Sequence, residues 1–210
     1  VTLSCVVTGL TNGTAYTFSV VAANPVGSSA PIASASTIVG VAPYAPTGVT
    51  ATRSDKAANV SWTAADGRGL TVSGYTVTSS PGGLSCTTAT TGCQVTGLTN
   101  GTLYTFTVTA TNSIGTSVAS TASGTVTPAG VPLLNGVPTV TRGDTTATVS
   151  WSAATDNGDA VTGYRVDASG TGGQFCAVNA VTLTCTITGL TNGIPYTFAL
   201  TSTNTVGTSL

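Results

Sequence analysis

The sequence contains no histidine, no methionine and no glutamate, and its single lysine is Lys56. The missing histidine removes the commonest general base, so Ser-His-Asp and Cys-His arrangements cannot be assembled within this chain. It also removes the usual co-ligand of cysteine in zinc sites. Charge of either sign is scarce. Charged residues are 5% of the chain and the formal net charge is −1, whereas an ordinary soluble domain carries roughly 25% charged residues. There is no basic stripe to neutralise nucleic-acid phosphates or an anionic membrane surface. No apolar run approaches the roughly 18 residues that span a bilayer. No charged segment followed by an apolar one opens the chain at Val1. These absences argue against catalysis, cofactors, nucleic-acid partners and membrane insertion.

What is present points to strands. Glycine reaches 26 residues and hydrophobic residues 40%, and threonine and valine are abundant. Threonine and valine favour strands, while glycine and asparagine punctuate turns. With that much apolar content, the chain can build cores.

Internal repetition sets the organisation. Gly-Leu-Thr-Asn-Gly starts at Gly9, Gly97 and Gly189, so the spacings are 88 and 92 residues. Each copy precedes an alternating run: Tyr16-Thr-Phe18-Ser-Val20, Tyr104-Thr-Phe106-Thr-Val108 and Tyr196-Thr-Phe198-Ala-Leu200. Apolar residues at every second position face one side of a strand. Each run ends in Asn-x-x-Gly, from Asn24, Asn112 and Asn204, which is turn chemistry. A second block pairs Val60-Ser-Trp62 with Val149-Ser-Trp151, and Ser73-Gly-Tyr75-Thr-Val77 with Thr162-Gly-Tyr164-Arg-Val166. About seven short strands in a unit of about 90 residues predict an immunoglobulin-like β-sandwich.

On these residues the chain resembles the fibronectin type III family, in a Thr/Gly-rich form. Trp62 and Trp151 match the buried tryptophan of the second strand, and Tyr75 and Tyr164 the tyrosine of the third. Leu10 with Tyr16, Leu98 with Tyr104, and Leu190 with Tyr196 look like the corner before the sixth strand, where a tyrosine hydroxyl bonds upstream backbone. The resemblance implies an all-β array of tandem sandwiches. Residues 1–40 form the last three strands of one domain, residues 41–129 a complete domain, and residues 130–210 a domain lacking its last strand. Neither end is expected to fold alone, so longer chains or neighbouring chains are expected to supply the missing strands. Pro43, Pro46, Pro128 and Pro132 bracket short linkers, which predicts a semi-rigid array.

Five cysteines remain. Cys5, Cys93 and Cys185 each precede a Gly-Leu-Thr-Asn-Gly by four residues. The expected disulfides are Cys86–Cys93 and Cys176–Cys185, each stapling a local hairpin, with the partner of Cys5 upstream of Val1. Free buried thiols are the alternative. Disulfides imply an oxidising compartment, hence a secreted, extracellular or cell-surface protein.

Other motifs read as turns. Arg142-Gly143-Asp144 has the counterpart Arg53-Ser54-Asp55, so the position needs a turn residue rather than an adhesive tripeptide. Asp156-Asn157-Gly158-Asp159 resembles a calcium loop, but its counterpart Asp66-Gly67-Arg68-Gly69 puts a cation where calcium would sit. Asn12, Asn59 and Asn100 match the glycosylation pattern, two of them within the repeated turn. The expected catalytic, metal and cofactor residues are therefore none.

The uncharged surface carries the sharper expectation. Sheets ordinarily guard their edges with lysine, proline or bulges. A chain with few such guards suits packing against copies of itself. The first functional expectation is thus a non-catalytic shaft of an extracellular filament, surface layer or adhesin stalk. The alternative is a set of spacer or carbohydrate-binding modules in a secreted polysaccharide hydrolase, with surface glycans as partners. Tyr44 and Phe175 are the aromatics that the core does not claim. A receptor-binding module is a third reading.

Overall fold

The structure, a computed structural model, describes residues 2–210. It is all-β, with no helix among the described residues. The first repeat holds six two-residue strands: β1 (Ala15–Tyr16), β2 (Ser19–Val20), β3 (Ala23–Asn24), β4 (Gly27–Ser28), β5 (Ile32–Ala33) and β6 (Thr37–Ile38). They nest as one long antiparallel hairpin, pairing β1 with β6, β2 with β5 and β3 with β4. Val20 and Ile32 face each other in this hairpin and both are exposed.

The second repeat contains β7 (Thr47–Ser54), β8 (Ala57–Thr63), β9 (Gly74–Ser80), β10 (Ser85–Thr88), β11 (Gly92–Thr96) and β12 (Thr105–Thr111). Its two sheets run β11-β8-β7 and β10-β9-β12. The third repeat contains β13 (Leu133–Arg142), β14 (Thr146–Thr155), β15 (Gly163–Ala168), β16 (Phe175–Asn179), β17 (Thr184–Thr188) and β18 (Phe198–Thr203). Its sheets run β13-β14-β17 and β16-β15-β18, the same order.

The alternation read in the sequence becomes burial. Along β8, Ala58, Val60 and Trp62 are buried while Asn59, Ser61 and Thr63 are exposed. Along β12, Phe106, Val108 and Ala110 are buried. Period-two side chains place every second residue in the space between the sheets. Each core is centred on one aromatic pair that crosses that space: Trp62 of β8 meets Tyr75 of β9 at 5.4 Å between ring centroids. Trp151 of β14 meets Tyr164 of β15 at 5.4 Å. Such tilted pairs add about 0.5–1.5 kcal/mol to the burial itself. Val149, Val166 and Ile187 complete the third-repeat core.

The outward faces carry mostly hydroxyls. Thr50 pairs with Ser61 at 2.9 Å, Thr148 with Thr186 at 2.9 Å and Ser150 with Thr184 at 3.0 Å, each across neighbouring strands. Cross-strand pairs of this kind are the sheet's unit of lateral stabilisation.

By contact the chain divides into two compact units. One holds Val1–Thr52, Asn59–Val95 and Thr105–Thr125; the other holds Arg53–Ala58, Thr96–Tyr104 and Val126–Leu210.

Candidate functional site

All six carboxylates are engaged locally. Asp66 accepts from the Arg68 amide at 2.7 Å, and Asp156 accepts from the Gly158 amide at 3.3 Å. Asp55 accepts from Asn100 at 2.6 Å, and Asp144 from Asn192 at 2.7 Å. Asp159 accepts from the Thr205 hydroxyl at 2.6 Å and the Thr205 amide at 2.9 Å, with Arg53 at 3.3 Å. Its carboxyl is held below the usual carboxylate value, first by the Thr205 hydroxyl and further by the Thr205 amide and Arg53. Asp167 is held down by its hydrogen bonds to Arg165. Among the described residues, no three His, Cys, Asp or Glu side chains gather into a metal-binding group. The tripeptide at Arg142 sits in the turn between β13 and β14, where the Gly143 amide donates to the Thr146 carbonyl at 2.8 Å.

Cys86 and Cys93 are joined by a disulfide, as are Cys176 and Cys185. The expectation of a stapled hairpin needs correction. β10 and β11 follow each other in sequence but belong to different sheets, and so do β16 and β17. The bond therefore ties edge strand to edge strand and closes one open side of each sandwich. Cys5 is exposed and unpaired.

The tyrosine corners repeat three times. The hydroxyls of Tyr16, Tyr104 and Tyr196 accept from the amides of Thr11, Thr99 and Thr191 at 3.1, 3.2 and 3.1 Å. Leu98, Leu190 and Tyr104 are buried, whereas Leu10, Tyr16 and Tyr196 are half-buried. Tyr104 owes its burial in part to a two-way backbone bridge with Val126, with bonds of 2.8 and 2.9 Å.

The asparagines of the Asn-x-x-Gly turns are two-sided. Asn112 accepts from the Ile114 and Gly115 amides at 2.9 and 3.1 Å, which shapes the turn. Its amide group donates to the Val41 carbonyl at 2.8 Å, which pins the segment leading into β7. Asn204 does the same, accepting from Val206 and Gly207 and donating to the Gly130 carbonyl at 2.8 Å. Asn100 and Asn157 hold the segment around Pro128. Asn100 donates to Asn157 at 2.8 Å, and Asn157 donates to the Val131 carbonyl at 2.9 Å.

Sequence reasoning missed the segment after β12. The residues Ser117, Ser120 and Ser123 lie beside β12 without forming a strand, yet each is buried and triply bonded. Their amides donate to the carbonyls of Ala110, Val108 and Phe106 at 2.8, 2.9 and 2.9 Å. Their hydroxyls accept from the amides of the same three residues at 3.0, 2.9 and 3.0 Å. The hydroxyl protons go to the next carbonyls, of Val118, Thr121 and Gly124, each at 2.8 Å. A serine at every third residue thus matches a strand at every second. The signal was the Ser-x-x-Ser-x-x-Ser spacing. Ser29 with Ala22, Ser34 with Phe18, and Ser209 with Ser202 make the same two-way contact. The device covers the β12 edge with backbone that offers no regular ladder to a further strand.

Two arginines stack on exposed aromatics: Arg68 on Tyr44 at 4.7 Å and Arg165 on Phe175 at 3.7 Å from the ring centroids. Among the described residues, no helix is long and apolar enough to cross a membrane.

The family model described as the fibronectin type III domain matches residues 44–126 and 135–210. Exoglucanase B of Cellulomonas fimi is 35% identical over 177 residues, covering 79% of this chain and 16% of that protein. Chitinase A1 of Niallia circulans is 36% identical over 170 residues, covering 77% of this chain and 23% of that protein. The chain thus spans less than a quarter of either relative's length. A solved structure of the chicken CNTN1 FN1-FN3 domains aligns with 94% of this chain and 73% of that one, at 21% identity and a TM-score of 0.43.

Proposed function

Because the chain belongs to the fibronectin type III family, we propose that it is a non-catalytic spacer array of an extracellular, polysaccharide-degrading protein. One observation carries this reading: the chain matches an exoglucanase and a chitinase over 16% and 23% of their lengths. What these two enzymes of different name share with the chain is a module, not a whole enzyme. The engagement of every carboxylate in a structural hydrogen bond or an ion pair supports the non-catalytic part. The disulfides support the extracellular part.

The test is a pair of measurements on the purified chain. Incubation with cellulose and chitin is expected to release no reducing sugar, and sedimentation is expected to give one monomeric species. Released sugar overturns the non-catalytic reading.

A second reading, the self-associating shaft, is favoured by one edge. β13 borders its sheet, and its Leu133, Val137 and Val140 are exposed with no charge among them. Exposed apolar residues on a sheet edge invite strand addition, and here they share the edge with Pro138, Arg142 and the register shifts between Leu133 and Thr139, which guard it in part. Concentration-dependent growth into filaments in the sedimentation experiment would replace the spacer reading with this one.

A further inference from the structure

Charge is rare in this chain, and two of its eleven charged residues meet at one aromatic. On the outward face of β15, Arg165 and Asp167 alternate with the buried Tyr164, Val166 and Ala168. The Arg165 Nε donates to both oxygens of Asp167, at 2.9 and 2.8 Å, and Nη2 donates to Oδ1 at 2.6 Å. Phe175 stands directly opposite Asp167 in the register of β15 and β16. The guanidinium lies 3.7 Å from the centre of the Phe175 ring, and the phenylalanine is still 51% exposed.

The fold does not require these residues. The second repeat pairs Ser85 with Thr78 at the place where the third repeat pairs Phe175 with Asp167, and it has Thr76 where Arg165 stands. Two hydroxyls and a threonine serve the sandwich there. An exposed phenylalanine on an edge strand does not reduce apolar exposure, so burial does not explain it. An exposed ion pair contributes little stability of its own.

The chemistry selects a ligand class. The pair is neutral overall, so neither an anion nor a cation is attracted by net charge. The ring gives a flat apolar surface. The guanidinium lies over one face of that ring, with Nη1 free of protein bonds among the described residues, and the Asp167 carboxylate, which accepts three bonds, keeps a spare acceptor site. The stacking and the bidentate contact already fix the guanidinium, so binding orders little further. A flat apolar surface bordered by a rigid donor and an acceptor is complementary to a neutral ring with C–H bonds on its face and hydroxyls on its rim. We propose that Phe175, Arg165 and Asp167 form a carbohydrate contact patch for a pyranose unit of a neutral polysaccharide. The patch is open and lies on a sheet face, which suits a segment of polymer rather than an enclosed monosaccharide. It rests on the reading of the chain as part of a polysaccharide-degrading protein, and it gives one spacer module a grip on the polymer.

The test is a titration of the whole chain, followed by amide NMR, with β-1,4-linked hexamers of glucose and of N-acetylglucosamine. One hexamer is expected to shift the amides around Arg165, Asp167 and Phe175 with a Kd on the order of 1 mM, the weak end of specific binding. Phe175→Ser, which restores the residue of the second repeat, should weaken binding about tenfold or more, equivalent to about 1.4 kcal/mol. Asp167→Asn should weaken it as well, and both spectra should otherwise stay folded. Absence of shifts with both hexamers overturns the patch, as does equal binding by the folded Phe175→Ser variant. A monomeric, inert chain that binds neither hexamer loses the patch and keeps the spacer reading. Sugar release or filament growth removes the spacer reading whatever the patch does.

Discussion

The Val108 amide donates to the Ser120 hydroxyl at 2.9 Å while the Ser120 amide donates back to the Val108 carbonyl at 2.9 Å. One serine thereby satisfies both backbone groups of a core residue, and its own hydroxyl proton is satisfied by Thr121. Ser120→Ala strands the buried Val108 amide without its acceptor. The expected cost is about 1–3 kcal/mol, read as a lower urea midpoint with an unchanged slope. Ser120→Thr, which keeps the oxygen, should cost less.

Ser202 is the opposite case. It is fully buried and its Oγ has no partner among the described residues. The second repeat has Ala110 at this place in the strand. Ser202→Ala removes an unsatisfied polar atom and should raise stability by about 1 kcal/mol, seen as a higher thermal midpoint.

Gly158 has φ 92°, and an added Cβ would lie 2.7 Å from the Pro128 carbonyl oxygen. Both the backbone conformation and the space exclude a side chain. Gly158→Ala is expected to destabilise by about 2 kcal/mol or more. Faster hydrogen exchange of the Gly130 amide, which donates to the Asn157 carbonyl, would report it locally.

Reducing the two disulfides reopens one side of each sandwich. The loops they close span separations of 7 and 9 residues, so each bond contributes about 2.5 kcal/mol on the chain-entropy account. Unfolding with and without a thiol reductant measures the sum, and Cys86→Ser/Cys93→Ser isolates one of the two.

Stability should be flat through neutral pH, where a chain without histidine has little to titrate. Asp159 and Asp167 are depressed in the folded state, by Thr205 and by Arg165 respectively. A depressed carboxylate stabilises the fold above its unfolded pKa of about 4, and that contribution is lost as pH falls through the lower folded value. The thermal midpoint should therefore hold from pH 7 to about pH 4 and decline below it. Asp159→Asn should blunt the decline.

The architecture was legible because its signals are local and repeated. Trp62 and Trp151, with Tyr75 and Tyr164 thirteen residues later, recur in phase with the alternation that buries them. The serine segment was opaque for the complementary reason. Its spacing of three fits neither the strand period of two nor the helical period, so a search for amphipathic elements passes over it. The sheet assignment of Cys86 and Cys93 was equally hidden. A separation of seven fits a hairpin as well as a crossing between sheets, and only the pairing of β10 with β9 decides. Arg165 and Phe175 lie ten residues apart, and their meeting depends on the register of β15 against β16.

The serine segment works like a vernier. Moving along it by three residues advances two along β12, since Ser123, Ser120 and Ser117 face Phe106, Val108 and Ala110. A length change on this side of the sandwich keeps both scales aligned only when it arrives in parcels of five, two residues in the strand and three in the segment. Any other insertion between these serines takes at least one of them out of register with its partner on β12. The side of the module without a regular last strand is thus the side whose length is most tightly quantised.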